Sequence, residues 1–324
     1  MTNTEEIWIL AEHDANRVQP VTFQLITKAR AIAAGRRVVV VLLEGTQEHF
    51  AEQISAYGPD EIIRVSVDLL ERPADSTAAS ALMQLMAKRQ PNAMLFAATA
   101  QGRSIAPRLQ AKLGTGLTAD CLDLRFDGDN LVAVKPSYGD NVMCEITCPQ
   151  RRPQMVSVRP NTFTAEKAGG VRTKITTAEL TLSAPKGIVI EDEQVAVSSA
   201  IGVTGASKVI ALGRGAKGDA TVARTRQLAA RLGASVGVSR PLTDRDDFTV
   251  EQQIGQSGNT IAPDFLLNIG ISGATQYLVG IDQAKLIVSV NRDADAPIMA
   301  QSDYTYTGDA DAFLKAFANR LDVK

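Results

Sequence analysis

Cysteine is scarce in this chain, and the three that occur, Cys121, Cys144 and Cys148, form no C-x-x-C pair. An odd number without paired spacing argues against a disulfide framework and against a zinc site. In an extended reading Cys144, Ile146 and Cys148 alternate onto one face, which predicts small buried hydrophobes. Histidine is scarcer still. His13 and His49 have no carboxylate or cysteine at ligand spacing, so both read as structural or surface residues and no metal is expected. The longest apolar run, residues 38–43, is far short of the ~20 residues that cross a bilayer. Met1-Thr2-Asn3 leads straight into a strand pattern, without the basic segment and apolar core of a signal peptide. No membrane insertion is expected, and the cytoplasm is the expected compartment. An excess of charge is missing as well. The 34 basic residues against 36 acidic ones leave a net charge of -2, which points to neither nucleic acid nor an anionic membrane surface. Arg224, Arg226 and Arg231 have acidic counterweights elsewhere and read as a solvated helix face.

What is present is a globular composition, 45% apolar and 22% charged, over 324 residues. That length exceeds what one core usually serves, so two domains are expected. In the first half, apolar runs at 6–11, 38–43, 62–67 and 93–99 read as strands. Helical stretches fall at 21–34, around Phe50 and Ile54, from a cap at Asp75 or Ser76 to 90, and at 104–113. Strands alternating with helices in this way predict a parallel sheet. The rhythm changes after Cys121. Asp127-Gly128-Asp129-Asn130 and residues 137–141 read as turns between extended runs, so antiparallel strands are expected to finish the domain through 155–158. Residues 161–207 read as an ornament plus linker, with the domain boundary near Ala200, dividing the chain into 1–200 and 201–324.

The second domain reads as strands at 209–212, 235–238, 265–269, 286–290 and 304–307, with helices at 219–232 and 310–321. Phe313, Phe317 and Leu321 share one face of the last helix. The expected class is α/β: an N-terminal nucleotide-binding-like α/β domain with antiparallel additions, followed by a doubly wound parallel sheet. Open parallel sheets bind ligands beyond the carboxyl ends of their strands. Here those ends carry Gly213-Arg214-Gly215-Ala216-Lys217-Gly218, Ser239-Arg240, Gly270-Ile271-Ser272-Gly273, Asn291 and Gly308-Asp309. Such residues also dominate ordinary loops. Five strand ends out of five offering glycine, hydroxyl, amide, guanidinium or carboxylate favour a nucleotide site, with bare amides for phosphate and a carboxylate for ribose.

The first of these loops matches G-x-G-x-x-G between a strand and a helix, but the next strand ends in Ser239-Arg240 instead of Asp or Glu. An arginine there suits a 2′-phosphate, so an NADP-dependent oxidoreductase is one reading open at this point. A cofactor-free scaffold is another. The long loop 241–264 holds Gln253-Ile254-Gly255-Gln256-Ser257-Gly258, whose amides and hydroxyl could face a heteroaromatic ring.

Read together, Gly213-Arg214-Gly215, Ser239-Arg240-Pro241, Gln253 to Gly258, residues 270–277 (GISGATQY), residues 290–298 (VNRDADAPI) and Asp309 resemble the alpha subunit of electron transfer flavoproteins. Residues 101–108 (QGRSIAPR), 114–121 (GTGLTADC) and 152–155 (RPQM) are similar to the same family, so the resemblance spans nearly the whole chain. It implies a redox carrier with FAD in the second domain, paired with a beta subunit through the first. Acyl-CoA dehydrogenase-type or other flavin dehydrogenases would be its electron partners, with electron bifurcation as a variant. It implies no catalytic acid–base dyad or nucleophile.

The resemblance also implies site residues. Arg214, Ser239 and Ser272 would contact the cofactor, and Gly273, Ala274, Thr275 and Gln276 would line its phosphates. Asn291, Asp309 and the adjoining Ala310 would hold the adenosine end. Gln253, Ile254, Gly255, Gln256 and Ser257 would border the flavin, with the Ser257 hydroxyl toward N5. Arg240 would sit over the ring system. A guanidinium ~4 Å from a negative charge is worth up to about 4 kcal/mol at an effective dielectric of 20. At Tyr277 the family usually has histidine, and a phenol donating to the flavin C2 carbonyl is the expectation here. Ser257 stands where threonine is usual.

Overall fold

The computed structural model describes residues 3–14, 16–70, 74–137, 142–170, 172–184 and 202–321. The chain divides into two units, Met1–Glu193 and Gln194–Lys324. The boundary expected near Ala200 and the turn residues 138–141 lie outside the described residues.

In the first unit, strand β1 (Asn3–Leu10) leads to helix α1 (Pro20–Ile32) and strand β2 (Arg37–Glu44). A short α2 (Ala51–Ser55) precedes β3 (Glu61–Ser66), and α3 (Asp75–Lys88) precedes β4 (Gln90–Ala97). Helix α4 (Ala100–Leu113) follows, then β5 (Leu117–Cys121), β6 (Asp123–Asp127), β7 (Asn130–Ser137), β8 (Val142–Thr147), β9 (Gln154–Val158) and β10 (Lys174–Thr177). Seven strands form one sheet in the order β10-β3-β2-β1-β4-β9-β5, every pair parallel. Its central strands carry continuous apolar runs at residues 7–10, 38–43 and 93–97 because both faces are covered there. Ile7, Ile9, Val38, Val40 and Leu42 face one core with α1, while Trp8, Leu10, Val39, Val41 and Leu43 face another with α3 and α4.

Several expectations change here. Strands β6, β7 and β8 form a separate antiparallel sheet, with the Asp127–Asn130 hairpin where expected. Strand β9 does not continue that meander. It inserts parallel between β4 and β5, and all five of its residues are buried. The segment read as ornament supplies the edge strand β10, parallel to β3. Asp75 is not a cap either: it opens α3 after Ala74, and the strand read from 93 already begins at Gln90. Cys121 is buried, whereas Cys144 and Cys148 are only partly so.

In the second unit, β11 (Lys208–Leu212), α5 (Asp219–Leu232), β12 (Ser235–Val238), β13 (Phe265–Ile269), α6 (Thr275–Leu278), β14 (Ile287–Asn291), α7 (Pro297–Ala300), β15 (Tyr304–Thr307) and α8 (Ala310–Leu321) follow in turn. The sheet order is β12-β11-β13-β14-β15, all parallel. Ile210 and Leu212 pack toward α5 and α8 through Val222, Leu228 and Leu314. Val209 and Ala211 face the opposite way, onto Ile254, Tyr277 and Ile298. The long loop and two one-turn helices therefore cover the face that longer helices would otherwise protect. Among the described residues no helix is long and apolar enough to cross a membrane.

Candidate functional site

Strand order reverses between β11 and β13, and a crevice beyond that point is where open α/β sheets bind ligands. The loops there touch backbone to backbone. Gly213 donates its N–H to Ile269 O at 2.9 Å, and Gly215 donates to Gly270 O at 3.0 Å. A Cβ on Gly213 would stand 2.3 Å from Gly270 O, so a side chain is excluded by loop packing alone. The G-x-G of the first loop is thereby explained without a pyrophosphate, which removes the main support for a nicotinamide cofactor.

The loop after β12 is fastened rather than loose. Thr249 and Gln252 form a reciprocal cap on a 3-10 turn. Ile254 donates to Val238 O at 2.8 Å, Asn259 to Gln253 O at 2.7 Å, and Gln256 to Gln276 O at 2.7 Å. These bonds bring residues 253–257 against the loop after β13. Gly273, at φ 84°, seats that second loop against α7, where a Cβ would lie 2.3 Å from Ile298 N.

Between these loops lies a cavity of about 620 Å³, within the usual size range of ligand sites. Its lining includes Arg214, Ser239, Arg240, Gln253, Ile254, Gly255, Gln256, Ser257, Ser272, Gly273, Ala274, Gln276, Tyr277 and Asn291. Fourteen sequence-expected residues thus meet on one cavity. Thr275, Asp309 and Ala310 do not line it. Asp309 instead accepts the N–H groups of Asp311 and Ala312 at 3.0 Å each, capping α8, and pairs with Arg292. The Arg292 hydrogen bond and the α8 amides hold its carboxyl below the usual range. Gly215, Pro241, Gly270, Ile271, Asp293 and Ala296 also line the cavity. The sequence signal for them was their place in the same strand-end motifs.

The polar groups fall into two kinds. The N–H groups of Ser272, Gly273 and Ala274 donate no backbone hydrogen bond among the described residues, which leaves three amides for an external acceptor. Arg214 is exposed, and its side chain is unpaired among the described residues. The remaining groups are already engaged. Gln253 Nε2 donates to Ser257 Oγ at 2.8 Å, and Asn291 Nδ2 donates to Ile271 O at 2.7 Å. Arg240 donates to Asp244 at 2.6 Å and to Thr243 Oγ1 at 2.9 Å.

Tyr277 departs from expectation. It lines the cavity, but its hydroxyl donates to the buried Asn268 Oδ1 at 2.6 Å. Asn268 passes the chain to Ser289 Oγ at 3.2 Å, and Ser302 donates to Ser289 at 2.7 Å. Burial pushes the phenol pKa up, so the proton stays. The single O–H of Tyr277 is committed to the core and is not offered to a flavin carbonyl.

Comparison with known proteins decides the family. Residues 7–183 match the family model described as the electron transfer flavoprotein domain, and residues 202–282 match the electron transfer flavoprotein FAD-binding domain. The chain belongs to the electron transfer flavoprotein alpha subunit family. It is 31% identical to the "Electron transfer flavoprotein subunit alpha" of Clostridium acetobutylicum, over 94% of this chain and 93% of that relative. It is 34% identical to "Protein FixB" of Bradyrhizobium diazoefficiens, over 96% and 87%. It is also 33% identical to "Lactate dehydrogenase (NAD(+),ferredoxin) subunit LctC" of Acetobacterium woodii, over 94% and 73%. The FAD-binding match takes in the cavity loops after β11, β12 and β13 and stops short of Asn291 and Asp309. FAD is the cofactor of this flavoprotein domain. The three open amides and the side-chain-free glycine contacts fit a large anionic dinucleotide.

Proposed function

We propose that this chain carries electrons between partner proteins as the alpha half of a heterodimer, with a beta subunit packed on its first unit and FAD in the cavity of its second. The observation that carries the reading is the cavity itself, built from strand-end loops inside the matched FAD-binding domain. FAD supplies the one- and two-electron redox chemistry when bound. The chain's own residues bind and tune. Ser272, Gly273 and Ala274 offer amides to phosphate oxygens, and Arg214 adds a cation nearby. Asn291, Asp309 and Ala310 are the proposed adenosine end. Residues 253–257 border the ring system. Because Ser257 Oγ already accepts from Gln253, its own proton is left to donate toward N5. Arg240 puts a positive charge on the cavity wall and favours added electron density.

Flavin dehydrogenases are the proposed electron donors, and the relative named as a NAD(+),ferredoxin lactate dehydrogenase subunit keeps a bifurcating complex within the proposal. The cytoplasm is the proposed compartment. The test is the flavin and AMP content of this chain co-expressed with a beta subunit. About one FAD per alpha chain is expected, with any AMP or second flavin assigned to the beta subunit. A complex that oxidises NADPH without flavin, or that is colourless, would refute the proposal.

A further inference from the structure

The ion pair between Arg240 and Asp244 has no part in the roles assigned so far. Arg240 opens a 3-10 turn, Arg240–Leu242, directly after β12. Thr243 closes that turn by donating its N–H at 3.2 Å and its hydroxyl at 2.8 Å to Arg240 O. The turn returns the chain toward the arginine, so its guanidinium meets Thr243 Oγ1 at 2.9 Å and Asp244 Oδ1 at 2.6 Å. Arg240 lines the cavity, whereas Asp244 lines a separate open groove with Asp219 and Arg245. The carboxylate itself does not line the cavity and stands next to it through its bond to the guanidinium.

We infer that Asp244 is a positioning residue and counter-charge for Arg240, setting the first-electron potential of bound FAD below the value the arginine alone would give. This rests on the reading of Arg240 given above. Both side chains are well exposed, 61% and 72%, and an exposed pair contributes little to stability. Its main consequence is electrical. A lone guanidinium acts on the cavity as a positive charge, while a guanidinium with a carboxylate on its far side acts as a weaker, shorter-ranged dipole. The bond also limits the rotamers of a long side chain, holding the planar group at the wall. Removing the carboxylate should therefore make electron uptake easier. Because the pair is exposed, salt should shrink the difference.

The test uses the whole chain with its beta subunit, comparing Asp244→Asn, Arg240→Ala, the double variant and Asp246→Asn. Asp246 is an exposed neighbouring carboxylate with no partner among the described residues. FAD content and the first-electron potential are read by anaerobic spectroelectrochemistry at two salt concentrations. In Asp244→Asn, FAD content should be unchanged and the one-electron equilibrium should move toward reduction several-fold, up to about tenfold, tenfold being about 59 mV. The shift should shrink at high salt, keep its sign when Arg240 is already alanine because the field of the carboxylate acts through space, and far exceed that of Asp246→Asn. An unchanged or lowered potential in Asp244→Asn, or an equal shift in Asp246→Asn, overturns the role of Asp244 and leaves the cavity assignment standing. If Arg240→Ala keeps both FAD and the wild-type potential, the reading of Arg240 fails and the inference goes with it.

Discussion

The two parallel sheets of this chain treat the carboxyl ends of their strands differently. In the first unit, strand order reverses between β1 and β4, and the protein's own groups fill that end. The Glu12 carboxylate is buried and accepts the Thr99 hydroxyl at 2.8 and 2.9 Å, while Thr99 Oγ1 caps α4 by accepting the Gly102 N–H at 3.1 Å. In the second unit, the reversal between β11 and β13 borders a cavity, and three amides beside it are left open. Topology alone therefore does not make a binding edge. Occupancy does: one end supplies its own carboxylate to its own helix, and the other keeps its donors for a ligand.

Closing the open end should abolish binding there. Gly273→Val puts a branched side chain at φ 84° and against Ile298 N. We expect FAD to be lost almost completely, read from flavin absorbance of the purified complex, with the first unit still folded by hydrogen exchange.

The next largest effect lies at the filled end. Burial pushes the Glu12 carboxyl up to about 7, with the Thr99 hydrogen bond opposing. Its folded pKa is above the unfolded one, so stability should fall as pH rises from about 4.5 to about 7, by at most about 3 kcal/mol. Glu12→Gln should remove that slope in urea denaturation at pH 5 and pH 8 while leaving FAD content unchanged. A slope that survives the substitution would mean that Glu12 does not control this end.

A smaller loss is expected at Tyr277. Tyr277→Phe leaves Asn268 Oδ1 buried without its donor, which should cost about 1–3 kcal/mol of stability. The flavin potential should stay at the wild-type value. A shifted potential with unchanged stability would show that the hydroxyl serves the cavity after all.

The smallest change with pH in the neutral range belongs to Glu61. Burial opposes its ionisation, but hydrogen bonds from Arg89, Thr176 and Arg37 prevail and hold its carboxyl at about 2. Its contribution is present above about 4.5 and lost as pH falls toward 2. Glu61→Gln should therefore change stability at pH 7 and lose that difference in acid, the reverse of the Glu12 pattern. Two buried glutamates of the first unit then differ in sign because one has guanidinium partners and the other has only a hydroxyl.

Most of the second unit was legible in the sequence. Four of its five strands are short apolar runs ended by glycine, serine or asparagine, and those four ends form the cavity, so strand periodicity and site chemistry coincide. The first unit was harder to read where contacts are remote. Strand β9 follows a hairpin in sequence, yet its partners are β4 and β5, and nothing local distinguishes an inserted parallel strand from the next strand of a meander. Strand β10 is four residues long and owes its pairing to β3, over a hundred residues earlier. The partner of the Tyr277 hydroxyl is hidden from the sequence for a related reason. Asn268 lies within β13, where a buried asparagine gives no sign of which side chain it will meet.

Hydrogen exchange on the intact alpha–beta complex, with FAD bound and after FAD is removed and replaced, tests the central contrast most directly. Removing FAD should raise exchange at residues 253–257 and 272–277, and adding it back should restore protection. Exchange around Glu12, Thr99 and Gly102 should be the same in both states. FAD-dependent protection at Glu12 and Thr99, with none at 272–277, would contradict the account.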